Sequence, residues 1–249
     1  MINILIYLYF SFESGKPLKQ LDEEYQQYIG AVAKKHKLPT ILVISPLLST
    51  VRFLIGGQSE VEHQPHDNKL NWAEGNRVIL AVIFCDYKEA VRLGRVFQEY
   101  PYEGYDLALL YMLVGIANVA LFKATGMRNP RLRIAARRCL MKINCVCPSG
   151  TDYCLAKLTL MQAEVSSLSP QRHAKTVRKY LIAIALADSS NNIFEKAVVH
   201  ERYGRYLAER GDLSRSLSQL RLACSSYHEW NAYRKVELLQ EEIGRISMA

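Results

Sequence analysis

The chain is short of the residues that a many-turned β fold needs. Thirteen glycines and eight prolines in 249 residues leave few punctuation points for a sandwich or barrel, and no segment alternates apolar and polar residues as a half-buried strand does. That leaves helices. Six cysteines fall far below the density of a stapled secreted domain and read as free thiols in a reducing, cytoplasmic setting. The apolar start, Met1 to Phe12, has no basic n-region and no small-residue cleavage site, which argues against a secretory signal. Neither it nor Thr40–Ile55, broken by Pro46 and carrying Arg52, reaches the ~20 residues of a membrane span. A phosphate loop of the Gly-x-x-x-x-Gly-Lys-Ser/Thr type is absent, as are the protein-kinase signatures. With no acid–base, metal or nucleophile constellation either, the expectation is a protein that is not an enzyme and holds no cofactor.

What is present is helical periodicity. Leu18, Leu21, Tyr25, Tyr28, Ile29 and Val32 recur at spacings of three and four, and Pro39 stops the pattern. Gly56 and Gly57 end the next helix, and Gln58 to Asn68 reads as a loop or short linker and the best internal boundary. The expected organisation is an apolar N-terminus over 1–15, N-terminal helices and linker over 16–66, and a helical domain over 67–249. Within that domain short turns fall at Cys85-Asp86, Met127-Pro130, Ser169-Pro170 and Gly211-Asp212, with Asp86, Ser169 and Asp212 as N-caps and Pro130 and Pro170 in first turns. Successive turns lie 44, 40 and 42 residues apart, one helix pair each.

The predicted pairs are Leu70–Phe84 with Tyr87–Tyr100, Tyr105–Thr125 with Arg131–Cys145, Tyr153–Leu168 with Gln171–Asp188, and Phe194–Arg210 with Leu213–Tyr227. A helix over Ala232–Ile246 closes the series. A single pair cannot bury both its apolar faces, so the expected fold is all-α, with antiparallel helix pairs stacked into a superhelix. Small residues inside the helices, Ala90, Gly115, Ala163, Ala183, Gly204 and Ala223, allow close approach. In the Arg131 helix, Leu132, Ala136, Cys139 and Ile143 form one apolar stripe, and Ile134 and Met141 a second. Two stripes predict a helix buried on two sides.

The segment Tyr180, Ala183, Ala187, Phe194, Glu195, Ala197, Glu201, Tyr206, Leu207, Arg210, Gly211, Asp212, Leu220, Ala223, Tyr227, Trp230, Ala232, Lys235 and Val236 resembles the end of the tetratricopeptide-like repeat region of large signalling proteins. In those proteins a Ser/Thr-kinase-like domain and a predicted ATPase precede the repeats, and sensor and histidine-kinase modules follow. The run Tyr227 to Leu239 carries the most specific part of the likeness. Asp86-Tyr87 with Ala90, and Leu160 with Ala163-Glu164, extend it over Asp67 to Glu242. Asn231 stands where the family has glycine, and asparagine is the next-best residue for a left-handed turn. Ser216 replaces a small alanine. The resemblance implies a scaffold for protein–protein or interdomain contact in signal transduction, its partners an acidic segment or neighbouring kinase and ATPase modules. The chain is expected to be a fragment or a stand-alone relative of that region, and the abrupt apolar start favours a fragment.

Net charge is +8, and it is concentrated: Met127 to Leu181 holds eleven Lys or Arg against Asp152 and Glu164. Arg131, Arg138 and Lys142 share one helical face, and Lys175, Arg178 and Lys179 lie on the second helix of the next pair. Aligned, they form a basic strip for an acidic protein segment. The alternative is RNA, which would call for interleaved aromatics, of which this stretch has Tyr153 and Tyr180 and little else. Cys139, Cys145, Cys147 and Cys154 match no metal-ligand spacing and read as small apolar residues. His200-Glu201 lacks the second histidine that a zinc helix needs, since Gly204 stands at that position. His63 and His66 read as loop histidines. Trp230 is expected to pack over the helix ending near Tyr227.

Overall fold

Helix starts and stops are set by local chemistry along most of the chain. The computed structural model describes residues 2–33, 38–57, 72–99, 106–147 and 152–248. The predicted loop over 58–68, with His63 and His66, lies outside them, as do Tyr100, Tyr102, Tyr105 and the side chain of Tyr153. The described residues form twelve α-helices and one 3-10 turn, with no strand among them. These are α1 (Ile2–Glu13), α2 (Leu18–Ala33), α3 (Leu38–Ile55), α4 (Trp72–Ile83), α5 (Tyr87–Glu99), α6 (Leu107–Ala124), α7 (Pro130–Val146), α8 (Asp152–Ser167), α9 (His173–Ser189), α10 (Ile193–Glu209), α11 (Leu213–Glu229) and α12 (Tyr233–Ser247). The protein is all-α.

Asp106, Asn129, Asn192 and Asp212 each turn a side-chain oxygen onto a backbone N–H of the first turn of α6, α7, α10 and α11. Asp86 does the same for α5, accepting from Glu89 N at 3.1 Å. Ser169 does not: its hydroxyl bonds Gln171, and Pro170–Arg172 form a 3-10 turn ahead of α9. Helix ends close through left-handed residues. Asn231 has φ of 67°, and the amides of Asn231 and Ala232 bond back to His228 and Tyr227 at 2.9 Å each, satisfying two terminal carbonyls.

Neighbours in sequence pack as hairpins: α4 on α5, α6 on α7, α8 on α9, α10 on α11, with α12 against α11. Between hairpins, α6 touches α4, α5 and α8, α7 touches α8, α9 touches α10, and α8 touches α10. Two kinds of helix result. Every residue of α6 from Ala108 to Val119 is buried, and α10 is buried over most of its length. By contrast α7, α9 and α11 bury one stripe each: Leu132, Ala136, Cys139, Ile143; then Thr176, Tyr180, Ala183, Ala187; then Ser216, Leu220, Ala223, Tyr227. The three stripes superimpose position for position at offsets of 44 and 40 residues. The second stripe expected on α7 is not buried, Ile134 being 49% exposed and Met141 60%. α7 is an outer helix that meets α6 and α8 from one side.

With 18 residues, α6 is the one described helix long and apolar enough to cross a bilayer. Burial by α4, α5, α7 and α8 accounts for that apolarity.

The N-terminal helices close on the C-terminal ones. α3 packs on α2, α4 and α12. At the end of α1, Phe12 meets Trp230 at 5.5 Å between ring centroids, and Phe194 meets the same indole at 4.6 Å. Gly15 has φ of +79° and lies so close to α10 that an added Cβ would stand 2.6 Å from Asn192 Oδ1. The Leu18 amide donates to Trp230 O at 3.0 Å, which places the start of α2 on the α11–α12 turn. Trp230 is thus fully buried where three segments meet.

Candidate interaction surface

Two populations of charge separate by burial. The inner one is paired. Arg202 on α10 forks onto Glu164 of α8 at 2.8 and 3.1 Å, Tyr180 of α9 donates to Glu164 at 3.0 Å, and Arg202 also reaches Tyr87 at 3.0 Å. One residue earlier, Glu201 accepts from Lys235 of α12 at 2.6 Å, from Arg205 at 2.9 Å and from Tyr227 of α11 at 2.7 Å. Burial alone would push the Glu201 carboxyl up, but Lys235 and Arg205 hold it down at about 2. Lys235 also donates to Ile83 O at 2.6 Å, tying α12 to the end of α4.

A third cluster surrounds Lys157 of α8, which pairs with Asp106 at 3.2 Å and with Glu195 of α10. Glu13, at the end of α1, accepts from the Asp106 amide at 3.2 Å, and its own carbonyl takes a bond from Asn192 Nδ2 at 2.9 Å. Burial, then the neighbouring Asp106, carry the Glu13 carboxyl up to about 8. Apart from Glu13, whose Oε2 is buried without a partner among the described residues, these groups are consumed by one another and tie together the helices they join. Sequence reading did not find these pairs, because Glu164 and Arg202 lie 38 residues apart, and Glu201 and Lys235 34 apart.

The outer population is the predicted strip. Arg131 and Arg138 are exposed on α7, and Lys142 on the same helix is half-buried over the Tyr111 ring at 4.9 Å. Lys175 and Arg178 are exposed on α9; Lys179 is half-buried and donates to Gln162 O at 3.4 Å. Burial lowers the Lys179 pKa, and the nearby charges of Lys175 and Arg172 lower it further. α7 and α9 both pack on α8. Among the described residues none of these six cations meets a carboxylate. The donors of Arg131, Arg138, Lys175 and Arg178 lie at exposed positions, where an anion can reach them.

The other singled-out residues have structural neighbours. His200 is 5% exposed and bonds Gln219 of α11 at 2.8 Å, with burial lowering its pKa. A Cβ on Gly204 would stand 2.9 Å from Leu220, so α10 and α11 touch there. Cys139 and Cys154 are buried, Cys147 is half-buried and Cys145 exposed, all as thiols. Burial pushes the Cys139 thiol up to about 12. Among the described residues no three His, Cys, Asp or Glu side chains gather as a metal ion requires.

No protein-family model matches the chain, and neither does any curated protein or solved structure.

Proposed function

We propose that the protein is a non-enzymatic scaffold, a tetratricopeptide-like stack of helix pairs that offers its basic outer helices to acidic protein segments. On this reading it is a stand-alone relative or a piece of the repeat region of ATPase and histidine-kinase signalling proteins, and its setting is the cytoplasm. The observation that carries the reading is the repeated stripe. Three outer helices bury the same four positions and leave the same faces outward, which is what nearest-neighbour stacking of one structural unit requires. On two of those helices the outward faces hold unpaired Arg and Lys, while the inner charges are spent on one another. A surface with cationic donors available and few exposed aromatics among them suits a carboxylate-rich chain better than stacked bases.

The test is fluorescence anisotropy of a labelled glutamate-rich peptide against a labelled single-stranded RNA, each titrated with protein across a salt series. The reading expects saturable peptide binding at ~0.15 M salt that weakens as salt rises. Submicromolar RNA binding with a steep log–log salt slope, and no peptide binding, would replace it with the nucleic-acid alternative.

A further inference from the structure

Asn118 stands out in α6, where it and Tyr111 are the only polar side chains between Leu107 and Phe122. It is 2% exposed, and its Nδ2 bonds Val114 O of its own helix at 2.8 Å. Its carboxamide oxygen meets no donor among the described residues. The residue is buried, but the oxygen itself opens onto a cavity, where it is free to accept a hydrogen bond.

What lies over Asn118 is a cavity of about 250 Å³. α5 and α7 both pack on α6, and the cavity lies where the three helices meet. Its floor is Val114 and Asn118 of α6; one wall is Val91 and Gly94 of α5, the other Leu132 and Ala135 of α7. Gly94 is needed there, because a Cβ would stand 2.6 Å from Val114. Arg95 lines the α5 side, and Arg131, in the first turn of α7, the other. Both are exposed, and neither guanidinium has a hydrogen-bond or ion-pair partner among the described residues. Among the described residues no acidic one lines the cavity. Two unpaired guanidinium forks favour an oxyanion, while the Asn118 oxygen can accept an N–H.

We propose that the cleft between α5, α6 and α7 receives an acidic side chain of a partner segment, its carboxylate held by Arg95 and Arg131 and a backbone N–H of the same segment meeting Asn118. This rests on the acidic-partner reading above and locates its anchor. A protein segment fits better than a free anion because the cleft runs out past Arg131 onto the face that also carries Arg138 and Lys142. A chain leaving the cleft therefore stays among cations.

The test combines anisotropy of a fluorescein-labelled Glu-Ala peptide with the NMR signal of the Asn118 side-chain amide, at ~0.15 M salt. Arg95→Ala and Arg131→Ala, both at exposed positions, are each expected to weaken the peptide about tenfold. The Asn118 signal should shift on titration in the wild type and stay still in the double variant. Ala135→Phe, which fills the cleft and spares both arginines, should also abolish the shift. Peptide affinity unchanged by the Arg95 and Arg131 variants but lost in Lys175→Ala/Arg178→Ala overturns the cleft and leaves the acidic-partner reading intact. An Asn118 shift with free glutarate but none with the peptide overturns the protein-segment assignment. No response to either ligand overturns the cleft and the reading beneath it.

Discussion

At the residue scale, Trp230 and Glu13 show how a few side chains tie the ends of the chain together. Trp230 packs on Phe12 of α1 and Phe194 of α10, and its buried indole N–H has no partner among the described residues, so its contribution is packing. Trp230→Ala is expected to cost about 3 kcal/mol in chemical denaturation, the usual scale for emptying a large aromatic site; a midpoint equal to wild type contradicts that role. Glu13 makes the seat of α1 sensitive to pH. Its carboxyl faces Asp106, the N-cap of α6, and Lys157 of α8, while Asn192, the N-cap of α10, holds its backbone carbonyl. The folded state holds the Glu13 proton up to about pH 8, whereas the free chain gives it up near 4.5. Stability therefore falls as pH rises between those values and is flat above, a span on the order of 5 kcal/mol at ~1.4 kcal/mol per pKa unit. Burial also raises Glu195, with the same sign. Glu13→Gln is expected to flatten most of that slope, measured as unfolding free energy between pH 5 and 8.5. An unchanged slope would place the titration elsewhere.

At the scale of elements, the helices were largely legible in the sequence and the contacts between them were not. The four predicted pairs and the closing helix match α4 to α12 to within a few residues at each end, because caps such as Asp212 and left-handed stops such as Asn231 act on their immediate neighbours. α7 marks the limit. Its apolar residues form two stripes in sequence, but only contact with α6 and α8 decides which is buried. Ile134→Lys and Met141→Lys are accordingly expected to stay within ~0.5 kcal/mol of wild type, while Ala136→Asp, in the buried stripe, should cost several-fold more by thermal melt. α1 is a second case: its stretch reads as apolar and no more, since its partners Asn192 and Trp230 lie far along the chain. Two glycines sharing φ of +79° separate local strain from docking. Gly211→Ala meets no atom within 4 Å and should lose about 1 kcal/mol. Gly15→Ala strikes Asn192 and the backbone of α10, and should lose more, with hydrogen exchange in α1 rising ahead of the other helices.

Across the whole molecule, charge is divided by burial. Inner carboxylates and cations lock neighbouring helices, and the outer cations of α7 and α9, which meet no carboxylate among the described residues, are the ones the proposal assigns to a partner. The inner set was invisible in sequence because its pairs join helices across 34 and 38 residues, whereas the outer set could be read from helical spacing alone. Reversing charge on the outer set alone separates the two. In Lys175→Glu/Arg178→Glu/Arg138→Glu, every altered residue is exposed and, among the described residues, without an ion pair, so the melting temperature should hold. Titrated with the glutamate-rich peptide at ~0.15 M salt, this variant is predicted to lose binding by more than tenfold. Undiminished affinity in a fully folded variant contradicts the central claim.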